Sequence, residues 1–198
     1  MDFYSALTEK WGAFSHVQHW YEQISTTFIS DKSKLNLLYE SCGKTQASTL
    51  FTNIFGIAIP DQLAEFYAKY NGCRLFSDSL CIYGFHMHSD ETYEPFDISK
   101  ENDRLQFDVK HADDYVFFGS LGGQYLLAYS KELPIEVLAI NIDNSKIVKR
   151  YRDFESCFNT IFEKLINEYD EQGKKKHVDK KLLDMPVLAN MTFDKKFL

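Results

Sequence analysis

The chain has 198 residues, of which 44% are hydrophobic and 26% charged, and its formal net charge is −7. This composition is sufficient for one sizeable core, so a single domain with extensions is the simplest organisation. No apolar run approaches the roughly 20 residues that span a bilayer, and residues 1–5 lack the order of a signal peptide, so we expect a cytoplasmic protein. The four cysteines show no Cys-x-x-Cys spacing, which predicts free, mostly buried thiols.

The first part of the chain is predicted to be helical. Residues 2–29 are rich in aromatic side chains and contain only one glycine and no proline. A second helical piece is predicted at 34–39 and a third at 48–55, where Gly56 ends it.

The next predicted helix has its own start and stop signals. Pro60 suits a first turn, where no backbone donor is needed, and Asn71-Gly72 tolerates the left-handed conformation that ends many helices. Its apolar side chains recur at i, i+3, i+4 and i+7, so one face is expected to lie on a core. These side chains are Leu63, Phe66, Tyr67 and Tyr70.

Short apolar runs after this helix predict strands joined mainly by hairpins. Gly119, Gly122 and Gly123 are expected to separate the second strand from the third, and Asp143-Asn144 to form a later turn. The predicted strands are 80–85, 115–118, 125–129, 137–142 and a shorter one at 147–151.

A last amphipathic helix is predicted from Asp153, a good N-cap, to about Tyr169. Its apolar face includes Phe154 and Phe158 and is expected to pack on the sheet. The fold class is therefore α+β, with a mainly antiparallel or mixed sheet flanked by helices.

Charge is concentrated between residues 88 and 114, where nine acidic side chains face three basic ones, a net charge of −6. Such a surface opposes binding to nucleic acid and favours a basic protein partner. A simpler alternative is a charged loop that is only solvated. We expect the partner-facing acids, with Tyr93 and Phe96 as apolar anchors, to be Asp90, Glu91, Glu94, Asp97, Glu101 and Asp103.

A catalytic metal site is the sharpest competing interpretation. His86 and His88 alternate as in the histidine run of binuclear zinc hydrolases, but Glu91 stands where that run has its last histidine. A second pair, His16 and His19, lacks a third ligand. We therefore expect no catalytic residues, no metal and no cofactor.

The order of the motifs resembles the SUKH superfamily, which contains the fungal Smi/Knr cell-wall regulators and many bacterial immunity proteins. The resemblance covers about residues 45–169, which leaves 1–44 as an N-terminal helical extension and 170–198 as a charged linker and tail. One departure is the absence of an acidic residue within 120–124, among the central glycines. The positions that match the family pattern are Pro60, Asn71, Gly72, Gly84, Gly119, Gly122, Gly123, Phe154 and Phe158.

The resemblance implies a SUKH-like fold and a non-catalytic protein-binding module. Its most concrete implication is an immunity protein that neutralises a cognate bacterial toxin by direct binding, and the acidic body suits a basic nuclease-type toxin domain. Nucleic acid and membranes are not expected partners. Two alternatives stay open: a regulatory scaffold like the fungal regulators, and a small metal-dependent hydrolase that uses His86 and His88.

Overall fold

The computed structural model describes residues 37–76, 78–86, 96–132, 136–169 and 176. Its centre is a single seven-stranded sheet in which each strand pairs antiparallel with the next strand along the chain. The strands are β1 (Leu37–Glu40), β2 (Tyr70–Leu75), β3 (Leu80–Ile82), β4 (Tyr115–Leu121), β5 (Tyr125–Ser130), β6 (Val137–Asn141) and β7 (Ile147–Tyr151).

Helices accompany this sheet and complete the α+β fold that the sequence predicts. Within the described residues they are α1 (Lys44–Phe55), α2 (Asp61–Tyr67), α3 (Ile98–Asp108) and α4 (Phe154–Glu168), with a short 3-10 helix at Ala112–Asp114. Strands β3 to β7 lie where apolar runs predict them. The apolar runs are therefore the part of the sequence that locates the sheet most directly.

Helices α2 and α4 share the aromatic core on one face of the sheet. The Phe66 ring of α2 lies 5.6 Å from Phe154 and 6.4 Å from Phe158, both on α4. Phe154 in turn lies 5.6 Å from Phe118 of β4. These contacts confirm that the stripe of α2 and the apolar face of α4 meet on the sheet.

The start of α4 is fixed by Asp153, the N-cap that the sequence predicts, in a reciprocal cap with Ser156. The Asp153 carboxylate accepts a hydrogen bond of 2.8 Å from the Ser156 backbone N–H, and the Ser156 hydroxyl accepts one of 3.2 Å from the Asp153 N–H. Two of the N–H groups that a helix start leaves unpaired are thereby satisfied.

The helix predicted at 34–39 is wrong at its C-terminal end, where residues 37–40 form strand β1. Leu38 pairs with Cys73 of β2, so the sheet begins ahead of the predicted boundary at residue 45. A pairing strand supplies long-range hydrogen bonds that a sequence window cannot contain. The helix predicted at 2–29 and the tail at 178–198 lie outside the described residues.

The helix that begins after Pro60 is shorter than predicted, and Asn71-Gly72 does not end it. Helix α2 stops at Tyr67, and both Asn71 and Gly72 lie in β2. The buried Asn71 side chain donates to the Phe85 carbonyl and accepts from the Phe85 N–H, each at 2.8 Å. Asn71 therefore joins β2 to the segment after β3, while Gly72 supplies a positive φ of 92° within the strand.

The central glycines divide into two roles. Gly122 and Gly123 form the predicted turn between β4 and β5, with φ values of 59° and 70°. Gly119 instead lies within β4, where an added Cβ would stand 2.4 Å from the backbone oxygen of Cys81. It is needed for the close approach of β3 and β4, not for a turn.

Candidate functional site

The predicted partner-facing segment is partly a helix, not a charged loop. Asp97, Glu101 and Asp103 lie on or directly before α3, and Phe96 precedes them. The other members of the predicted set lie outside the described residues: Asp90, Glu91, Tyr93 and Glu94. The structure thus places two of the eight predicted residues on α3 and two directly before it, and the whole contact set stays a prediction.

Helix α3 begins and ends through local chemistry. The Asp97 carboxylate caps it by accepting a hydrogen bond of 2.9 Å from the Lys100 backbone N–H. Three buried side chains, Ile98, Asn102 and Leu105, then follow at i, i+4 and i+7. The Asp97 cap is the sequence signal that could have indicated the start of α3, whereas the polar Asn102 hides its buried face.

A buried asparagine fastens α3 to the sheet. The Asn102 amide nitrogen donates to the carbonyls of Ile98 and Phe117, both at 2.7 Å, and its oxygen accepts from the Phe117 N–H at 2.9 Å. The amide therefore supplies to Phe117 the donor and the acceptor that a neighbouring strand would otherwise supply. The orientation of α3 on β4 is fixed by directional bonds as well as by apolar packing.

Charges along α3 are arranged as a small ion-pair network. The Arg104 guanidinium lies 2.7 Å from a Glu101 oxygen and 3.4 Å from an Asp108 oxygen. Hydrogen bonding to Glu101 raises the pKa of Arg104. No ion pair to another described residue engages Asp103, which is exposed. The positive charge of Arg104 is therefore shared between two acids, and the three acids and two bases of α3 give it a formal net charge of −1.

Phe96 is exposed on one side and held on the other. Its ring is 40% exposed, stands edge-on to Tyr83 at 6.3 Å, and lies under the Arg74 guanidinium at 4.9 Å. Arg74 also binds both carboxylate oxygens of Asp78, through Nε at 2.8 Å and through Nη2. Burial raises the pKa of the neighbouring Tyr39 to about 12, although Arg74 acts in the opposite direction. Phe96 is thus a fixed part of this polar cluster.

The buried thiols behave as apolar side chains. All four cysteines are free, and Cys73, Cys81 and Cys157 are buried, as the sequence predicts. Burial raises the pKa of Cys81 to about 12 and also raises the pKa of Cys73 and Cys157. These three thiols therefore remain protonated at neutral pH.

The histidines of the metal hypothesis are not brought together among the described residues. His86 is exposed after β3, whereas His88, His16 and His19 lie outside those residues. In the described part of the chain, no three side chains among His, Cys, Asp and Glu are grouped so that they could hold a metal ion.

Over the same residues, no helix combines the length and apolar character needed to cross a membrane.

One surface residue was missed by the sequence reasoning. Phe107, on the last turn of α3, is 90% exposed. Whether a phenylalanine within a charged segment faces the core or the solvent can be decided only when the helix and its buried face are known. By contrast, Phe154 and Phe158, which match the family pattern, are buried in the core, and Pro60 directly precedes α2.

The fold defines an α+β module in which α3 packs on the sheet through Ile98, Asn102 and Leu105. The chain belongs to the SMI1 / KNR4 family (SUKH-1), whose sequence model matches residues 49–160. The match extends from within α1 into α4 and includes the whole of α3. A search of curated proteins found no match to the chain.

Proposed function

We propose that the protein is a non-catalytic binding module, and specifically an immunity protein that neutralises a cognate bacterial toxin by direct binding in the cytosol. The observation that carries this proposal is membership of the SMI1 / KNR4 family (SUKH-1). The matched range, residues 49–160, contains the whole of α3. The proposed division of the chain keeps 45–169 as the binding domain, with 1–44 and 170–198 as extensions, although β1 precedes the first boundary.

Charge supports a basic toxin as the partner. Residues 97–114 carry six acids and three bases, and residues 88–114 together have a net charge of −6. One of those bases, Arg104, is already paired with Glu101 and Asp108. A nuclease-type toxin domain carries positive charge for its own substrate, so attraction to this surface would speed the encounter.

The proposed contact set keeps the residues predicted from the sequence. Asp97, Glu101 and Asp103 would set the rate of association, with Phe96 as an apolar contact. The remaining proposed contacts are Asp90, Glu91, Tyr93 and Glu94. Asp97 also caps α3, so its replacement would perturb the helix and the surface together.

Coexpression tests this proposal directly. The protein encoded by the neighbouring reading frame is expressed as the candidate toxin in a bacterial host with and without the full chain, and growth and complex formation are measured. We expect growth to be restored and a stoichiometric complex to form. Failure to restore growth, or restoration with no complex, would contradict the proposal. Inactivation of toxin by substoichiometric amounts of the chain would indicate an enzyme instead.

A matched pair of charge reversals tests the surface. Asp103→Lys changes an exposed acid on α3 that forms no ion pair with another described residue, and Asp143→Lys makes the same change in the exposed turn between β6 and β7. We expect the first to slow association several-fold at low salt and the second to have little effect. Equal effects of the two reversals would show that only net charge matters and that α3 is not the contact surface.

A further inference from the structure

Phe107 is the most exposed large apolar side chain in the described part of the chain. It is 90% exposed, whereas the next two, Phe96 and Ile54, are 40% and 39% exposed. An aromatic ring left almost wholly in water is unfavourable in a free monomer, and aromatic residues are enriched where proteins bind each other.

No described part of the fold gives this ring a structural role. The buried face of α3 is formed by Ile98, Asn102 and Leu105. At 100° per residue, Phe107 lies on the opposite side of the helix from these three positions. It therefore points away from the core that holds the helix in place.

The helix that carries Phe107 is held rigidly. Asn102 makes three side-chain hydrogen bonds, two of them to Phe117 on β4, and the Asp97 carboxylate caps the first turn. The backbone of Gly84 also pairs with Asp97 through an isolated bridge. A side chain presented on a preorganised element loses less conformational freedom on binding than one on a mobile loop.

Acidic side chains outnumber basic ones four to two along residues 103–114, which include Phe107. The two bases are Arg104, which is paired with Glu101 and Asp108, and Lys110. Asp103 lies one turn before Phe107 on the same side of α3, and Asp108 follows it directly. Asp113 and Asp114 lie in the 3-10 helix just beyond. A pocket that accepts this ring is therefore best complemented by lysine and arginine side chains around its rim.

We propose that Phe107 is the central apolar anchor of the protein's contact surface and inserts into an apolar pocket rimmed by lysine and arginine on a basic partner protein. This inference rests on the proposed function and names the part of the surface that holds the partner. A second copy of the chain is a poor occupant, because it would place the same negative helix surface against itself. Phe96 is a weaker candidate, since Arg74 and Tyr83 already hold its ring.

Photo-crosslinking in the native cell tests where the partner lies. The probe is the full chain with Phe107→p-benzoylphenylalanine, and the matched control places the same group at Thr52, an exposed position on α1. We expect position 107, but not position 52, to cross-link to a peptide that contains lysine or arginine beside apolar residues. A cross-link to another copy of the chain, equal cross-linking at both positions, or no cross-link at position 107 would overturn the proposal.

Affinity for the coexpressed toxin domain tests the energetic role. We expect Phe107→Ala to weaken binding about 30-fold, mainly through faster dissociation, as is typical of a central hot spot. Gln106→Ala, on the same exposed helix, is expected to change it less than about twofold. Both variants are expected to unfold at the wild-type denaturant concentration, since neither side chain is buried.

The two proposals fail in different ways. If the wild-type chain binds the toxin and restores growth but Phe107→Ala does so equally well, the anchor is wrong and the immunity function stands. If the wild-type chain does not bind the toxin, the immunity function is wrong, and a selective cross-link from position 107 to another basic protein still supports the anchor.

Discussion

Replacing Asn102 by Ala tests the hydrogen bonds that join α3 to the sheet. The side chain is 8% exposed and satisfies both the N–H and the carbonyl of Phe117. Alanine cannot replace either bond. The variant therefore leaves two backbone groups in the protein interior without partners.

The expected loss follows from those two groups. A buried backbone donor or acceptor without a partner costs roughly 1–3 kcal/mol, so the variant is expected to lose about 4 kcal/mol of unfolding free energy. This is a large share of the roughly 5–15 kcal/mol that stabilises a typical domain. Urea unfolding of the full chain, followed by far-ultraviolet circular dichroism, measures the difference.

Gln106→Ala is the control, because it truncates an exposed side chain on the same helix and is expected to change stability by less than about 0.5 kcal/mol. A loss below about 1 kcal/mol for Asn102→Ala would refute the reasoning. It would mean that water or a shift of β4 readily satisfies Phe117.

Three further variants can be measured by the same unfolding experiment. Phe66→Ala empties a buried site between α2 and α4 and is expected to cost about 3–5 kcal/mol; an unchanged midpoint would remove α2 from the core. Tyr129→Phe removes a buried hydroxyl that has no hydrogen-bond partner among the described residues, so stability is expected to stay level or rise by up to about 1 kcal/mol, and a clear loss would reveal an unseen partner. Partial burial opposes ionisation of Asp153, but hydrogen bonds from Ser156 and Arg152 lower its pKa below 3.8. Asp153→Ala is therefore expected to lower the unfolding free energy by about 1 kcal/mol at pH 7. This loss should disappear as the pH falls below the pKa of Asp153 in the unfolded chain and then through its lower pKa in the folded protein. A loss that stays constant with pH would contradict the role of the charge.

The sequence predicted the strands whose stability comes from burial. Residues 115–118, 125–129 and 137–142 are almost continuous apolar runs, and they lie in β4, β5 and β6 with only Ile142 beyond its strand. The last helix was equally predictable, because Asp153 and the spacing of Phe154 and Phe158 specify both its start and its buried face. In these segments local pattern and tertiary environment favour the same structure.

The errors fall where a distant contact decides the structure. Asn71 and Gly72 are the residues that commonly end a helix, and only the hydrogen bonds from Asn71 to Phe85 make them part of β2. The same holds for Leu37–Glu40, whose strand conformation depends on pairing with β2. No window of neighbouring residues contains these partners.

The charge of the candidate segment could be predicted from the sequence, but its helical structure could not. Counting acids located the segment that includes α3, whereas the helix itself was missed because most of its side chains are polar. Asn102 is buried through hydrogen bonds, so a search for apolar spacing passes over it. The direction of Phe107 follows only after that buried face is known.

The order of the strands has a consequence for how quickly the chain can fold. From β4 onward each strand is joined to the next by a short connection, so their pairing closes only small loops, and α4 follows at once. The pairings of β1 with β2 and of β3 with β4 instead close segments of about 30 residues, which contain α1 with α2 and α3 respectively. Because loop closure must precede the contacts that repay it, the region from β4 to α4 is expected to form early. Docking of α3 through Asn102 is then a late event, so mutations there are expected to accelerate unfolding more than they slow folding.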